Sequence, residues 1–240
     1  MSRASGRVSG CRVVPSQGGH TPYRALISVV KREILETNSR GTAPLLLNLG
    51  AGRSTDIETQ LAQAGARFSV DRVDLELTIV RHANVREQWA GNIENLSTIA
   101  NDSYDMAFCI YVLEHVRNVK RAVDEMARVL RPGALAVLTV PNPGAPEFRV
   151  AARSPGWLHR VFQPHGFHTE YAYRSVSELV HYLDTAGMRV EICEYSPVVG
   201  AYLTRVSGLL GRLGDAYDSV VVRLQARYLS GAVLLAARKV

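Results

Sequence analysis

Three runs of mostly apolar residues constrain this chain more than any other feature: LLLNL at 45–49, YDMAFCIY at 104–111 and ALAVLTV at 134–140. Segments of helical period lie around and between them. From Pro22 to about Thr37, Leu26, Ile27, Val30, Ile34 and Leu35 recur at helical spacing, with Thr21 as N-cap and proline at the first helical position. Thr55–Ala64 reads as a helix stopped by Gly65, and Phe68–Leu75 as a further strand. After an irregular stretch and the run at 104–111, Val116–Leu130 is helical, with Val116, Val119, Val123, Met126 and Leu130 on one face and Arg131-Pro132-Gly133 ending it. Continuous apolar strands separated by helices are the pattern of a parallel sheet covered on both faces. The fold expected is α/β and doubly wound.

The later part is less regular. Residues 141–170 hold five prolines, three glycines, Trp157 and three histidines, which suits a long loop over an active site. Ser175-x-x-Glu178 is a capping box that opens a helix through Ala186, with Gly187 at its end. Arg189–Tyr195 and Ala232–Arg238 read as two final strands. Between them, residues 202–229 form a helical insertion with Leu203, Val206, Leu209, Leu210 and Leu213 on one side.

A chain of 240 residues with net charge +6 invites a nucleic-acid reading, so the location of the charge matters. Residues 1–40 carry +5, 41–200 carry −3 and 201–240 carry +4. Only the ends are basic, which is not a nucleic-acid-binding face. Residues 1–20 are rich in Ser, Gly and Arg; they read as a flexible basic tail, with a distant resemblance to an organelle transit peptide as the alternative. They contain no apolar core of a secretory signal, so the cytoplasm is the default. No run is long enough to span a bilayer. Cys11, Cys109 and Cys193 lie far apart and include no CxxC pair, which argues against a disulfide scaffold and against a cysteine zinc site.

The chemistry is concentrated in Asn48-Leu49-Gly50-Ala51-Gly52-Arg53-Ser54, directly after the first apolar run. Glycines there let the backbone approach a ligand closely, and the following helix offers unpaired N–H groups. Such a turn suits a nucleotide-type cofactor at the carboxyl edge of a parallel sheet. A dinucleotide fingerprint requires GxGxxG, but the third position here is Thr55. A ligand without a pyrophosphate does not make that demand.

Four stretches in order, LLLNLGAGRS, RVDLEL, GNIENL and SYDMAFCIYVLEHVRNVKRAVDEMARVLRPGALAVLTVPN, resemble the class I S-adenosylmethionine-dependent methyltransferases. Within that class they are similar to the small-molecule enzymes related to ubiquinone and menaquinone synthesis. The resemblance is firm over about residues 45–142. It implies a Rossmann-like seven-stranded sheet, mostly parallel with an antiparallel last strand, and S-adenosyl-L-methionine as cofactor. Residues 21–240 would then form one domain: a cap helix at 22–37, a cofactor core at 44–142, an acceptor lid at 143–174 and the insertion at 202–229.

The likeness places Asn48, Gly50, Ala51 and Gly52 at the cofactor. Asp74 would take the ribose hydroxyls, with Leu75 beside it and Asp71 as the rival. Asn92 and Ile93 would flank the adenine, and the backbone at Ile110 and Tyr111 would close the floor. The sequence departs from the family at Asn48, where an acid is usual, at Ser54, where a third glycine is usual, at Asn92, where an aspartate is common, and at Ala134, the second glycine of the usual PGG turn.

Methyl transfer depends on alignment, with proton removal when the acceptor is a hydroxyl. The candidate bases are His115, beside Glu114 and open also to a structural role, and His165 and His168 in the lid, open also to being solvated loop residues. Tyr171 and Tyr173 would add aromatic walls, and no cluster has metal-ligand spacing. The expected acceptor is an oxygen of a small-molecule, sugar or lipid-linked compound. The insertion, with Arg205, Arg212, Arg223 and Arg227 among its apolar positions, fits peripheral membrane contact, a helix covering the sheet, or a homodimer contact. An NAD-type oxidoreductase and a non-catalytic scaffold with a degenerate pocket are the competing functions.

Overall fold

The computed structural model describes residues 10–15, 22–146, 172–204 and 206–240. Its centre is one eight-stranded sheet in the order β1-β7-β8-β6-β5-β2-β3-β4. The strands are β1 (Arg12–Val13), β2 (Leu45–Leu49), β3 (Ser69–Asp74), β4 (Val85–Ala90), β5 (Tyr104–Ile110), β6 (Leu130–Pro141), β7 (Met188–Ser196) and β8 (Ala232–Lys239). All neighbours are parallel except β8, which runs against both β6 and β7. The doubly wound class and the antiparallel last strand are as expected. The strand count is eight rather than seven.

Two strands escape the sequence pattern, for different reasons. β4, VREQWA, is an edge strand with no fully buried position, so it lacks the apolar run that marks its neighbours. β1 has two residues and lies inside the segment expected to be a loose tail. It pairs with β7 in the register Arg12↔Glu194 and Val13↔Tyr195. The side-chain amide of Gln225 holds Val13 at both its N–H and its carbonyl, each at 2.9 Å. A disulfide joins Cys11 to Cys193 across 182 residues. Spacing along the chain carries no trace of that pairing, because sheet register brings the two residues together.

Alternation along the strands divides the apolar residues into two cores. Leu47, Leu49, Ala107 and Cys109 face one side, under α3 (Val119–Val129) and α4 (Val176–Thr185). Leu46, Met106 and Phe108 face the other, under α1 (Pro22–Ser39) and α2 (Asp56–Gln63). α1 buries Leu26, Val30 and Ile34 along the sheet, and its first turn brings Tyr23 towards Asp56 and Glu58. The Thr21 cap lies outside the described residues.

Helix ends follow local chemistry. The helix after β5 starts later than its apolar pattern suggests: a 3-10 turn covers Leu113–His115, and α3 opens where Asn118 Oδ1 accepts the Arg121 N–H at 2.9 Å. Ser175 caps α4 by accepting the Glu178 N–H at 3.2 Å, while Glu178 reaches back to the N–H of Arg174 rather than to that of the cap. The insertion consists of α5 (Val199–Thr204), α6 (Gly208–Arg223) and a 3-10 turn at Arg227–Leu229. Among the described residues no helix is long and apolar enough to cross a membrane.

Candidate functional site

β2, β3, β5 and β6 end on the same edge of the sheet, and the glycine turn leaves β2 there. The N–H groups of Gly50 and Ala51 donate to the carbonyl of Val73 at 2.8 and 3.1 Å, which ties the turn to β3. Gly50 has φ 66° and Gly52 φ 61°, both in the left-handed region that favours glycine. The two glycines serve different needs. A Cβ on Gly50 would sit 2.4 Å from Val112 Cγ2, so this position needs glycine for packing as well. A Cβ on Gly52 would meet nothing within 4 Å; the turn opens here onto free space.

Asp74, the last residue of β3, faces that opening. One carboxylate oxygen accepts the Gly52 N–H at 2.8 Å, and the other accepts the N–H of Glu76 at 3.3 Å. Asp71 is differently placed. It is fully buried and accepts from both Arg86 nitrogens that face it, from the Tyr104 hydroxyl at 2.8 Å and from the Glu87 N–H at 3.2 Å. Burial, and next the bond to Asp71, pushes the Tyr104 phenol upward, so it remains a donor. Asp71 fastens the edge strand to the sheet, whereas Asp74 borders a crevice with Ala51, Gly52, Leu77, Thr78 and Trp89.

The support beneath the turn is not visible in the sequence. Arg72 and Glu58 form a buried ion pair at 2.6 Å. The other guanidinium nitrogen, Nη2, donates to the carbonyls of Ala51, Gly52 and Ser54 at 3.0, 3.2 and 2.8 Å. Asn48, expected at the cofactor, is buried, and its Nδ2 donates to the same Glu58 oxygen at 3.0 Å. An aspartate at 48, usual in the family, would face Glu58 with a second carboxylate. The departure at Asn48 is therefore matched to Glu58 one helix away. Residue type gives little signal for this network, because a buried arginine on a strand looks like any other polar interruption.

The remaining candidates fall into two groups. Leu75 is largely exposed beside Asp74, and Asn92 is exposed, its Oδ1 accepting the Glu94 N–H at 2.9 Å. Ile93, by contrast, is packed in the core with Leu49, Val73 and Leu96. Tyr173, expected as an aromatic wall, is fully buried and donates its hydroxyl to the Pro141 carbonyl at 2.8 Å. His165, His168 and Tyr171 lie outside the described residues, as does most of the expected lid.

After β5 the chain turns sharply. Tyr111 has φ 53°, unusual for a residue with a Cβ, and its N–H donates to the Thr139 carbonyl at 3.0 Å. Its ring keeps 37% of its surface exposed. Burial nonetheless raises its phenol, with Tyr202 of α5 and Glu114 adding to the shift. Glu114 is buried, its Oε2 has no hydrogen-bond partner among the described residues, and burial pushes its carboxyl up to about 8. Thr139 Oγ1 is a second buried oxygen on this edge without a partner among the described residues. His115 is half-buried at the end of the 3-10 turn, its backbone N–H on the Val112 carbonyl. Among the described residues no cluster of ligating side chains could hold a metal.

An open, glycine-edged crevice with a carboxylate at one end and an exposed leucine beside it fits a nucleoside with a vicinal diol. The carboxylate can take two donors, and the leucine offers an apolar face to a base.

Comparison with known proteins gives the same direction. Residues 47–138 match a family described as a methyltransferase domain. The ubiquinone biosynthesis O-methyltransferase of Xanthomonas euvesicatoria pv. vesicatoria is 25% identical over 184 residues, covering 73% of this chain and 75% of that one. An S-adenosylmethionine-dependent methyltransferase from Mesorhizobium loti has a similar fold, with TM-score 0.60 and 17% identity over 91% of this chain and 98% of that one. A phosphoethanolamine N-methyltransferase from Haemonchus contortus, solved with S-adenosyl-L-methionine, superposes with TM-score 0.57 at 14% identity, over 90% of this chain and 52% of that one.

Proposed function

Because the chain is a class I S-adenosylmethionine-dependent methyltransferase, we propose that it methylates an oxygen of a small-molecule, sugar or lipid-linked acceptor, held beside Tyr111. The observation that carries the site is the opening above Gly52 with Asp74 at its end. The oxygen acceptor is supported by the relatives that are named as O-methyltransferases at 24–26% identity over 65–73% of this chain.

Bound S-adenosylmethionine supplies a methyl group already activated on a sulfonium sulfur. The chain's own work is then binding, alignment and proton handling. Asp74 accepts the ribose hydroxyls, Leu75 and Asn92 flank the base, and the Gly50–Gly52 backbone borders the remainder. Arg72 and Glu58 hold the turn in shape from below without touching a ligand. Tyr111, fixed in its left-handed conformation, presents its ring to the acceptor side. His115 is the candidate base for a hydroxyl acceptor, with His165 and His168 as the candidates from the lid. The proposed setting remains the cytoplasm.

Three measurements test this. Calorimetry with S-adenosylhomocysteine should give a single binding site; absence of binding at millimolar concentration removes the site assignment. Incubation with methyl-labelled cofactor and a panel of phenolic, sugar and isoprenoid acceptors should label an oxygen. Labelling only at nitrogen or carbon removes the acceptor reading and leaves the cofactor site standing. His115→Ala should lower turnover with cofactor affinity intact, and unchanged turnover passes the role to the lid.

A further inference from the structure

The insertion helix α6 is inside out. Its packed side carries Gly211, Gly214, Asp218 and Val221, set against α5. The approach is close: a Cβ on Gly214 would lie 2.6 Å from the Gly200 Cα, and one on Gly211 would lie 2.4 Å from Thr204 Oγ1. Asp218 accepts the Gly200 N–H at 3.0 Å. Its outer side carries Leu209, Leu213, Ala216, Val220 and Leu224, which share one stripe at 3.6 residues per turn. Leu209 is 72% exposed, Leu213 61%, Val220 54% and Leu224 68%. A water-facing helix normally shows the reverse arrangement, so this apolar stripe needs a partner.

Charge identifies the partner. Arg212 and Arg223 lie along one flank of the stripe, exposed and without an ion pair among the described residues. The acidic residues of α6 lie off the stripe: Asp218 is buried against α5, and Asp215, exposed, sits between the arginine flank and the packed side, near Gly200. The stripe and the flank that borders it are therefore apolar and cationic. A second copy packed on it by two-fold symmetry would bring Arg212 and Arg223 of both chains to one seam whose own positions carry no acid. An anionic lipid surface accepts the leucines between its acyl chains and pairs the arginines with its headgroups.

We propose that the outer face of α6 docks this protein on anionic lipid bilayers as a peripheral interfacial helix. The position suits such a role. α5 and α6 follow β7 on the edge of the sheet that holds the glycine turn, and Tyr202 of α5 lies near enough to Tyr111 to raise its phenol. The proposal is independent of which acceptor is methylated, since bilayer binding is read without any reaction.

The test is flotation of the full chain with phosphatidylcholine vesicles, with and without phosphatidylglycerol, at low ionic strength. The wild-type chain should float with phosphatidylglycerol vesicles and not with phosphatidylcholine alone. Leu209→Ser combined with Leu213→Ser should reduce the bound fraction by about tenfold or more. Arg212→Gln combined with Arg223→Gln should abolish the preference for the anionic lipid. Both variants should bind S-adenosylhomocysteine as the wild type does, which shows that they are folded. Failure of the wild type to float with phosphatidylglycerol, or equal flotation of the leucine variant, overturns the proposal. So does a wild-type dimer that the leucine substitutions convert to a monomer, since the stripe would then belong to a second copy.

Discussion

The backbone N–H of Gly52 donates to the carboxylate of Asp74 at 2.8 Å, across a gap of 22 residues in sequence. The bond sets the turn after β2 against the end of β3, and it orients the carboxylate that borders the crevice. Asp74→Asn keeps an oxygen for the Gly52 N–H but loses the charge, and Asp74→Ala loses both. Affinity for S-adenosylhomocysteine, measured by calorimetry, should fall in that order. Loss of a charged hydrogen-bond partner is worth about 1.5–3 kcal/mol, so Asp74→Ala should cost about ten- to a hundredfold. Unchanged affinity in both variants would move the ribose role away from β3.

The turn also depends on the buried pair of Arg72 and Glu58. Removing one partner leaves an uncompensated charge, at a cost of about 3–5 kcal/mol. Glu58→Gln and Arg72→Met should each lower the melting temperature and weaken cofactor binding, because three carbonyls of the turn lose their common donor in the second case. Asn48→Asp, which restores the residue usual in the family, should destabilise this chain by setting a second carboxylate against Glu58. A melting temperature for Asn48→Asp equal to that of the wild type would show that Asn48 is not matched to Glu58.

Glu114 gives the protein a pH signature. Burial raises its carboxyl from 4.5 to about 8, so the folded chain keeps a proton that the unfolded chain releases. Its contribution to stability is fully present below about pH 4.5 and is lost as pH rises through about 8. The Glu114→Gln variant holds a neutral group at every pH. Its melting temperature should fall less than that of the wild type over this window, as followed by scanning calorimetry. Parallel profiles would place the titration elsewhere.

The disulfide between Cys11 and Cys193 closes most of the chain into one loop. By the chain-entropy account such a link is worth about 2–5 kcal/mol, chiefly through the unfolded state. Cys193→Ser should lower stability by that order and loosen β1, which is otherwise held by Gln225 and β7. Thiol titration of the native chain should find no accessible thiol, since the remaining cysteine, Cys109, is buried. Two reactive thiols in the untreated native chain would show that the link is absent.

Local pattern determined much of this protein. The apolar runs, helical periods and punctuating glycines are contiguous properties, so they set the order of strands and helices, the doubly wound class and the glycine turn at its sheet edge. The family resemblance over the same stretch pointed to the methyl donor. Tertiary structure decided everything that depends on register or on partners distant in sequence. Asp71 and Asp74 are equivalent as letters, but alternation buries one against Arg86 and Tyr104 and leaves the other at the strand end. Arg72 and Glu58 read as ordinary charges until β3 and α2 bring them together. β4 and β1 carry no apolar signal, since an edge strand and a two-residue strand have little to bury. α6 is amphipathic in sequence, but only close packing of Gly211 and Gly214 on α5 turns its leucines outward. Periodicity records which side of a helix is apolar. The neighbour available to each side decides which of them meets water.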